Sequence, residues 1–440
     1  MMRFARALLG ASAVCGLASI GVSAALAETI TIATVNNGDM IRMQKLTDDF
    51  TAKNPGIDLN WVTLEENILR QRVTTDIATR GGQFDVLTIG MYETPIWGER
   101  GWLVSLNDLP ESYDIDDILP AMRAGLSVGD TLYAAPFYGE SSMVMYRTDL
   151  MDKAGLAMPD APDWDFVAKA ARAMTDKDNE VYGICLRGKA GWGENMGFLT
   201  TLGNSMGASI VDENWVPQYS GEAWKKALNF YLDLMADAGP PGASSNGFNE
   251  NLALFQQGKC GMWIDATVAA SFVTNPAESQ VADKVGFALA PDAGLGKRAN
   301  WLWAWALAIP AGTQKEAAAK KFIEWATSKD YLELVASKEG WANVPPGSRT
   351  SLYENPDYQK VPFAKMTLDS INAADPNNPA VDPVPYVGIQ FASIPEWQAI
   401  GTAVGQQFSA ALAGNVSADE ALANAQALAE RELKRAGYIE

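Results

Sequence analysis

The 440-residue sequence contains no histidine. That absence removes Ser-His-Asp and Cys-His nucleophile systems, imidazole metal sites and the commonest general acid or base. Carboxylate-only chemistry, such as glycoside hydrolysis by two acids, is the main enzymatic option left. Cysteine is scarce as well, with only Cys15, Cys185 and Cys260. Cys15 falls in a leader segment. For the other two, free buried thiols are favoured over a disulfide, although an oxidising compartment permits one. Basic residues are outnumbered, 34 against 53 acidic, for a formal charge of −19. Nucleic acid and anionic membrane surfaces need clustered Lys and Arg, so neither is an expected partner. The Gly-rich stretch GKAGWGENMG, residues 188–197, lacks the Lys-Ser/Thr pair of a phosphate-cradling loop. Internal repeats and low-complexity linkers are also missing.

What is present describes a globular chain, with 48% hydrophobic and 20% charged residues. Its length exceeds what one ordinary core organises, so two domains are expected. Residues 1–27 read as a secretory leader. Arg3 and Arg6 precede an uncharged stretch from Ala7 to Ala25, and Ala25-Leu26-Ala27 offers small residues at −3 and −1 of a cleavage site. The stretch is rich in Gly, Ser and Ala and lacks a basic stop-transfer flank, which argues against an anchor. Val14 before Cys15 argues against a lipoprotein. Cleavage removes two Arg and no acid, taking the net charge from −19 to −21.

Thr29 to Val35 (TITIATV) is a β-branched run. A helix follows, with Met43, Leu46 and Phe50 on one stripe. Asn54-Pro55-Gly56 breaks the chain, and Ile57, Leu59 and Trp61 alternate as a strand. A second helix carries Leu69, Val73 and Ile77 and stops at Gly81-Gly82, before strand Asp85–Ile89 (DVLTI). This βαβαβ order predicts a parallel, doubly wound sheet with ligands beyond the carboxyl ends of its strands, near Asn36, Asn37, Met91 and Tyr92. Further on, strands are expected near Ala134–Tyr146 and Gly261–Ile264, and helices over Phe248–Gln257 and Lys315–Ser328. Ser417-Ala418-Asp419-Glu420 has capping-box spacing and opens a closing helix. In NWLWAWALAIP, residues 300–310, period 2 puts Trp301, Trp303 and Trp305 on one face, either packed in a core or forming an aromatic wall.

Four segments in this order resemble the extracellular solute-binding proteins of bacterial ABC importers, of the maltose-binding type. They are GGQFDVLTIGMYETPIWGERGWLVSLNDL, AAPFYGESSMVMYRTDLMDKAGL, NENLALFQQGKCGMWIDATVAAS and WALAIPAGTQKEAAAKKFIEWATS. The likeness covers essentially the whole chain after the leader. It implies an α/β fold of two lobes, each a doubly wound sheet flanked by helices, with a ligand cleft between them. One lobe would comprise 28–138 and 304–345, the other 139–303 and 346–440. The GW and IPEW details are similar to the branch that binds sugar alcohols. The implied protein is a periplasmic monomer without cofactor, metal or catalytic residue. It would capture a polyol or small sugar by lobe closure and pass it to the membrane permease.

A polyol offers hydroxyls and apolar C–H faces, so its site needs acceptors, donors and flat rings. Glu140, in PFYGESS, matches the family's ligand-binding glutamate between the lobes. Tyr138 is either a site residue or hinge packing, and Asp265 either binds or caps a helix. Trp192 and Trp397 match family aromatic positions, and Arg187 could bond hydroxyls or orient an acid. Asn37 and Glu65 stand at helix starts, where capping is the plain account. Tyr92 matches a site-loop position where the family often has an acid. Trp303 and Trp305 are expected at the cleft, and Trp301 in packing. The alternatives are a binding protein for a cationic solute such as a polyamine, and a glycosidase using Glu140 and Asp265. N-terminal sequencing of the exported protein should begin at Glu28; a membrane-bound form retaining residues 1–27 would refute the leader.

Overall fold

The computed structural model describes residues 27–440. β1 (Glu28–Val35) pairs in parallel with β2 (Ile57–Leu64) and with β3 (Val86–Ile89). Between β1 and β2 lie α1 (Gly38–Lys45) and α2 (Thr47–Lys53), and α3 (Glu66–Thr79) links β2 to β3. The expected βαβαβ unit is therefore present, with its first helix divided at Leu46. After α4 (Glu93–Glu99) and a short hairpin of β4 (Ser127–Val128) and β5 (Thr131–Leu132), β6 (Ala134–Glu140) enters the same sheet.

The second sheet contains β7 (Ser142–Arg147), with β8 (Met262–Ala266) and β9 (Val285–Leu289) on its two sides. Both pairings are antiparallel. Residues 181–186 add a parallel edge to β8 through Tyr182 N to Lys259 O and Cys185 N to Met262 O, each 2.8 Å. The second sheet is thus mixed, with two antiparallel pairs and one parallel edge. β10 (Trp303–Ala308) returns to the first sheet and lies antiparallel between β3 and β6, giving the order β2-β1-β3-β10-β6.

Only Ser141 separates β6 from β7, so the chain passes from one sheet to the other there. Its hydroxyl donates to Trp301 O (2.7 Å), and the Ser142 hydroxyl donates to Ala299 O (3.0 Å). A third passage lies against these two: Gly139 N donates to Pro346 O (2.9 Å), and a Cβ on Gly139 would strike the Gly347 carbonyl. The closing helix, Ala418–Ala436, is capped as its sequence indicates, with Ser417 Oγ accepting from Glu420 N.

Cys185 and Cys260 form a disulfide, 75 residues apart in sequence, which corrects the expectation of free thiols. The reason is tertiary. The parallel pairing of 181–186 along β8 brings the two Cα atoms to 5.8 Å, within bridging range. Both cysteines are buried. A loop of this length predicts that Cys185→Ser with Cys260→Ser costs about 4 kcal/mol of stability. Denaturant unfolding of this variant beside the oxidised wild type measures it, and coincident transitions would contradict the bridge.

Candidate functional site

A cavity of about 40 Å³ lies between the lobes. Asn37, Glu66 and Arg70 border it from the first lobe, Glu140, Trp303 and Trp305 from β6 and β10, Trp301 from the segment just before β10, and Arg187, Trp192, Gly193, Phe248 and Gln390 from the opposite side. Asn37 follows the carboxyl end of β1 and Glu66 follows that of β2, the position at which parallel sheets collect ligands.

Arg70 stands one helical turn after Glu66, and the pair is an i,i+4 ion pair on α3. The Arg70 Nε and Nη2 donate to Glu66 Oε1 at 3.0 and 2.9 Å, and Nη1 donates to Glu93 Oε1 at 2.6 Å. Gly90 N completes Glu93 by donating to Oε2 (3.0 Å). The guanidinium carbon lies 4.0 Å from the Trp192 ring centre, 4.7 Å from that of Trp305 and 4.9 Å from that of Trp303. Burial disfavours this cation, yet Glu93 and Glu66 outweigh it and hold the side chain above its ordinary pKa.

The tryptophan strand owes its place to β-pairing. Trp303 stands opposite Glu140 and Trp305 opposite Tyr138 on β6. Trp303 and Trp305 meet edge to face at 5.6 Å and 84°. A side chain at Gly90 would run into the Trp303 ring, so the end of β3 requires glycine. All three tryptophans, Trp301 included, are buried and all three border the cavity. Core packing and aromatic wall are here the same surface.

Glu140 ends β6 with its carboxyl group buried. Desolvation pushes its pKa up to about 8; Arg187 pulls it down, while Asp265 and Glu66 push it further up. Arg187 is held in a fork by Asp265, Nε to Oδ2 at 2.9 Å and Nη2 to Oδ1 at 2.6 Å, and Nη1 donates to Gly193 O (2.8 Å). Asp265 also accepts from Trp263 Nε1 (3.0 Å) and Ala266 N (2.7 Å) and is completely buried. It stands behind Arg187, within β8, and caps no helix.

Of the sequence candidates, Asn37, Glu140, Arg187, Trp192, Trp303 and Trp305 converge on the cavity. Tyr138 lies one step behind, its hydroxyl accepting from Asn37 Nδ2 (2.9 Å). Glu65 pairs with Lys189 across the lobes at 2.6 Å. Neither Asn37 nor Glu65 caps its helix through its side chain. Tyr92 does not border the cavity; its hydroxyl lies 3.2 and 3.1 Å from the carbonyls of Ile394 and Pro395 and accepts from Gln398 N (3.3 Å). Trp397 is fully buried at the start of helix Trp397–Leu412, near Trp192 but off the cavity. Sequence reasoning passed over Glu66, Arg70, Phe248 and Gln390. The i,i+4 spacing of Glu66 and Arg70 was an available signal, whereas Gln390 sits in a stretch with no periodicity. Two carboxyl groups and two guanidiniums share the wall, and burial favours the protonated form of one of those carboxyls, Glu140. Among the described residues no group of three or more acidic, Cys or His side chains could hold a metal ion.

Residues 37–333 match the family described as bacterial extracellular solute-binding protein. The chain is 58% identical over 412 residues to a mannitol-binding protein of Pseudomonas aeruginosa, covering 94% of each. An ABC transporter solute-binding protein from Agrobacterium vitis S4, solved with bound D-mannitol, is 72% identical with a TM-score of 0.93 over 94% of this chain and 100% of that one. A second, from Agrobacterium radiobacter K84 in complex with ribitol, is 25% identical with a TM-score of 0.81, over 92% and 99%. The chain belongs to the bacterial extracellular solute-binding proteins.

Proposed function

We propose that this protein is the exported, non-enzymatic substrate-binding component of an ABC importer, and that it captures a linear sugar alcohol of hexitol size. The observation that carries the reading is the cavity wall, where Arg70, Arg187, Glu66 and Glu140 stand beside three tryptophans. Charged acceptors and donors suit hydroxyls, and the rings suit the C–H faces of the carbon chain. The relatives named for mannitol and crystallised with mannitol or ribitol support the same class.

A polyamine is disfavoured because two guanidiniums face the solute. Hydrolysis by Glu140 and Asp265 is disfavoured because both Asp265 oxygens are engaged behind Arg187. In the proposed cycle the segments 28–138 with 304–345 close on 139–303 with 346–440. Closure is supported by contacts such as Glu65 to Lys189 and Asn67 Nδ2 to Ala190 O (3.2 Å), and the closed, monomeric protein then meets the permease.

Calorimetric titration should show mannitol or another hexitol binding unchanged and ahead of maltose and spermidine. Tighter binding of spermidine, or turnover of a glycoside, would overturn the reading. Above about pH 8, where Glu140 is ionised, Glu140→Gln should weaken polyol binding by about 1.5–3 kcal/mol, the range for a hydrogen bond to a charged group, while folding is retained. An unchanged dissociation constant would remove Glu140 from the site. Trp303→Ala should shrink the ligand-induced change in tryptophan fluorescence and weaken binding more than folding. Normal binding with early melting would leave that ring a core residue only.

Closure also carries a pH signature. Burial in the closed cleft raises the Glu140 pKa to about 8, whereas an open cleft returns the group to water. A raised carboxyl pKa favours the closed state at low pH, and that advantage is lost as pH climbs from the ordinary carboxyl value of 4.5 through about 8. Small-angle scattering should therefore find the ligand-free protein more compact near about pH 5 than near about pH 8.5. A radius of gyration independent of pH would contradict this.

A further inference from the structure

Two residues that border the cavity each carry a buried polar atom with no partner among the described residues, Gln390 Oε1 and Trp192 Nε1. Gln390 is 5% exposed, and its Nε2 donates to Leu302 O at 2.9 Å. That bond sets the amide's orientation, because the reverse would turn Oε1 onto a carbonyl oxygen. Gln390 therefore has a spare acceptor and no choice about it. Trp192 is 2% exposed, and its indole is clamped by Arg70 at 4.0 Å, Tyr92 at 5.0 Å and Trp303 at 5.7 Å. Its N–H is a donor that the ring cannot swing toward another partner. Phe391, next to Gln390 in sequence, lies 6.1 Å from Trp192 and 5.9 Å from Trp303. Trp397 Nε1 is also unpartnered, but Trp397 does not border the cavity.

We propose that Gln390 and Trp192 are specificity-determining residues that read hydroxyl groups of the ligand, Gln390 as acceptor and Trp192 as donor. Buried polar groups left unpaired are costly, so a ligand that satisfies both is selected over one that satisfies neither. An ammonium group only donates and leaves Trp192 unmet. A carboxylate or ketone only accepts and leaves Gln390 unmet. A hydroxyl does both. The inference rests on the polyol reading and narrows it: the solute carries hydroxyls at this part of its chain, and deoxygenation there is penalised.

The test titrates the tightest-binding polyol and its monodeoxy analogues into the wild type, Gln390→Met and Trp192→Phe. Methionine keeps the length of Gln390, and phenylalanine keeps an aromatic ring over Arg70. The wild type should lose about 10–100-fold in affinity toward at least one deoxy analogue. In each variant the parent polyol should weaken by about the same factor. The penalty for the matching analogue should then fall to within about threefold, with the other penalties unchanged. Uniform weakening toward every analogue would make both residues structural pegs and overturn the inference while leaving the polyol reading intact. So would a wild type indifferent to every deoxygenation. A wild type that binds no polyol would end the polyol reading, and this one with it.

Discussion

One buried cation organises the site. The Arg70 guanidinium sits in a box of Trp192, Trp303 and Trp305, with Glu66 and Glu93 holding its nitrogens. Taking such a charge out of water is tolerable only when good partners meet it on every side. Those partners come from α3, the start of α4, β10 and the second lobe, so the charge can be satisfied only when all four are in place. The same demand accounts for Gly90, where any side chain would displace Trp303. It also accounts for three large rings that bury themselves yet leave their edges on a cavity.

A second cation mirrors the first across the cavity. Arg187 is forked by Asp265, and the disulfide joins the segment that carries Arg187 to the strand that carries Asp265. The two sides therefore present preorganised guanidiniums backed by carboxylates, with Glu140 between them on the crossing strand. An arrangement with its own counter-ions built in suits a neutral solute, because an ionic one would disturb a charge balance already struck. Preorganisation also limits the ordering cost of binding, since the polar groups are held by the protein before a ligand enters.

Much of the first lobe was legible in the sequence. The β-branched runs, the apolar stripes of α3 and the breaks at Asn54-Pro55-Gly56 and Gly81-Gly82 are local patterns, and βαβ winding follows from them. Six of the eleven named site candidates border the cavity. The misplacements share a cause. Asp265 holds Arg187 from behind, Tyr138 supports Asn37 and the Tyr92 hydroxyl is taken up by the 394–398 segment, all tertiary contacts that spacing does not specify. Glu65 was named where its neighbour Glu66 faces inward, because one residue on a helix turns a side chain by about 100°.

By itself, the sequence determined the class of the protein: no histidine, so no imidazole chemistry; an acidic balance, which does not favour a polyanionic partner; and an order of segments that resembles a two-lobe solute-binding fold. These properties depend on composition and local period, which survive without any contact being known. Tertiary structure alone decided that Cys185 meets Cys260, that Arg70 is enclosed by three tryptophans from two elements, and that Gln390 borders the cavity with one buried atom unpaired. Each of these joins residues tens to hundreds of positions apart, and their pairing is set by strand register and lobe packing, quantities that no local pattern encodes.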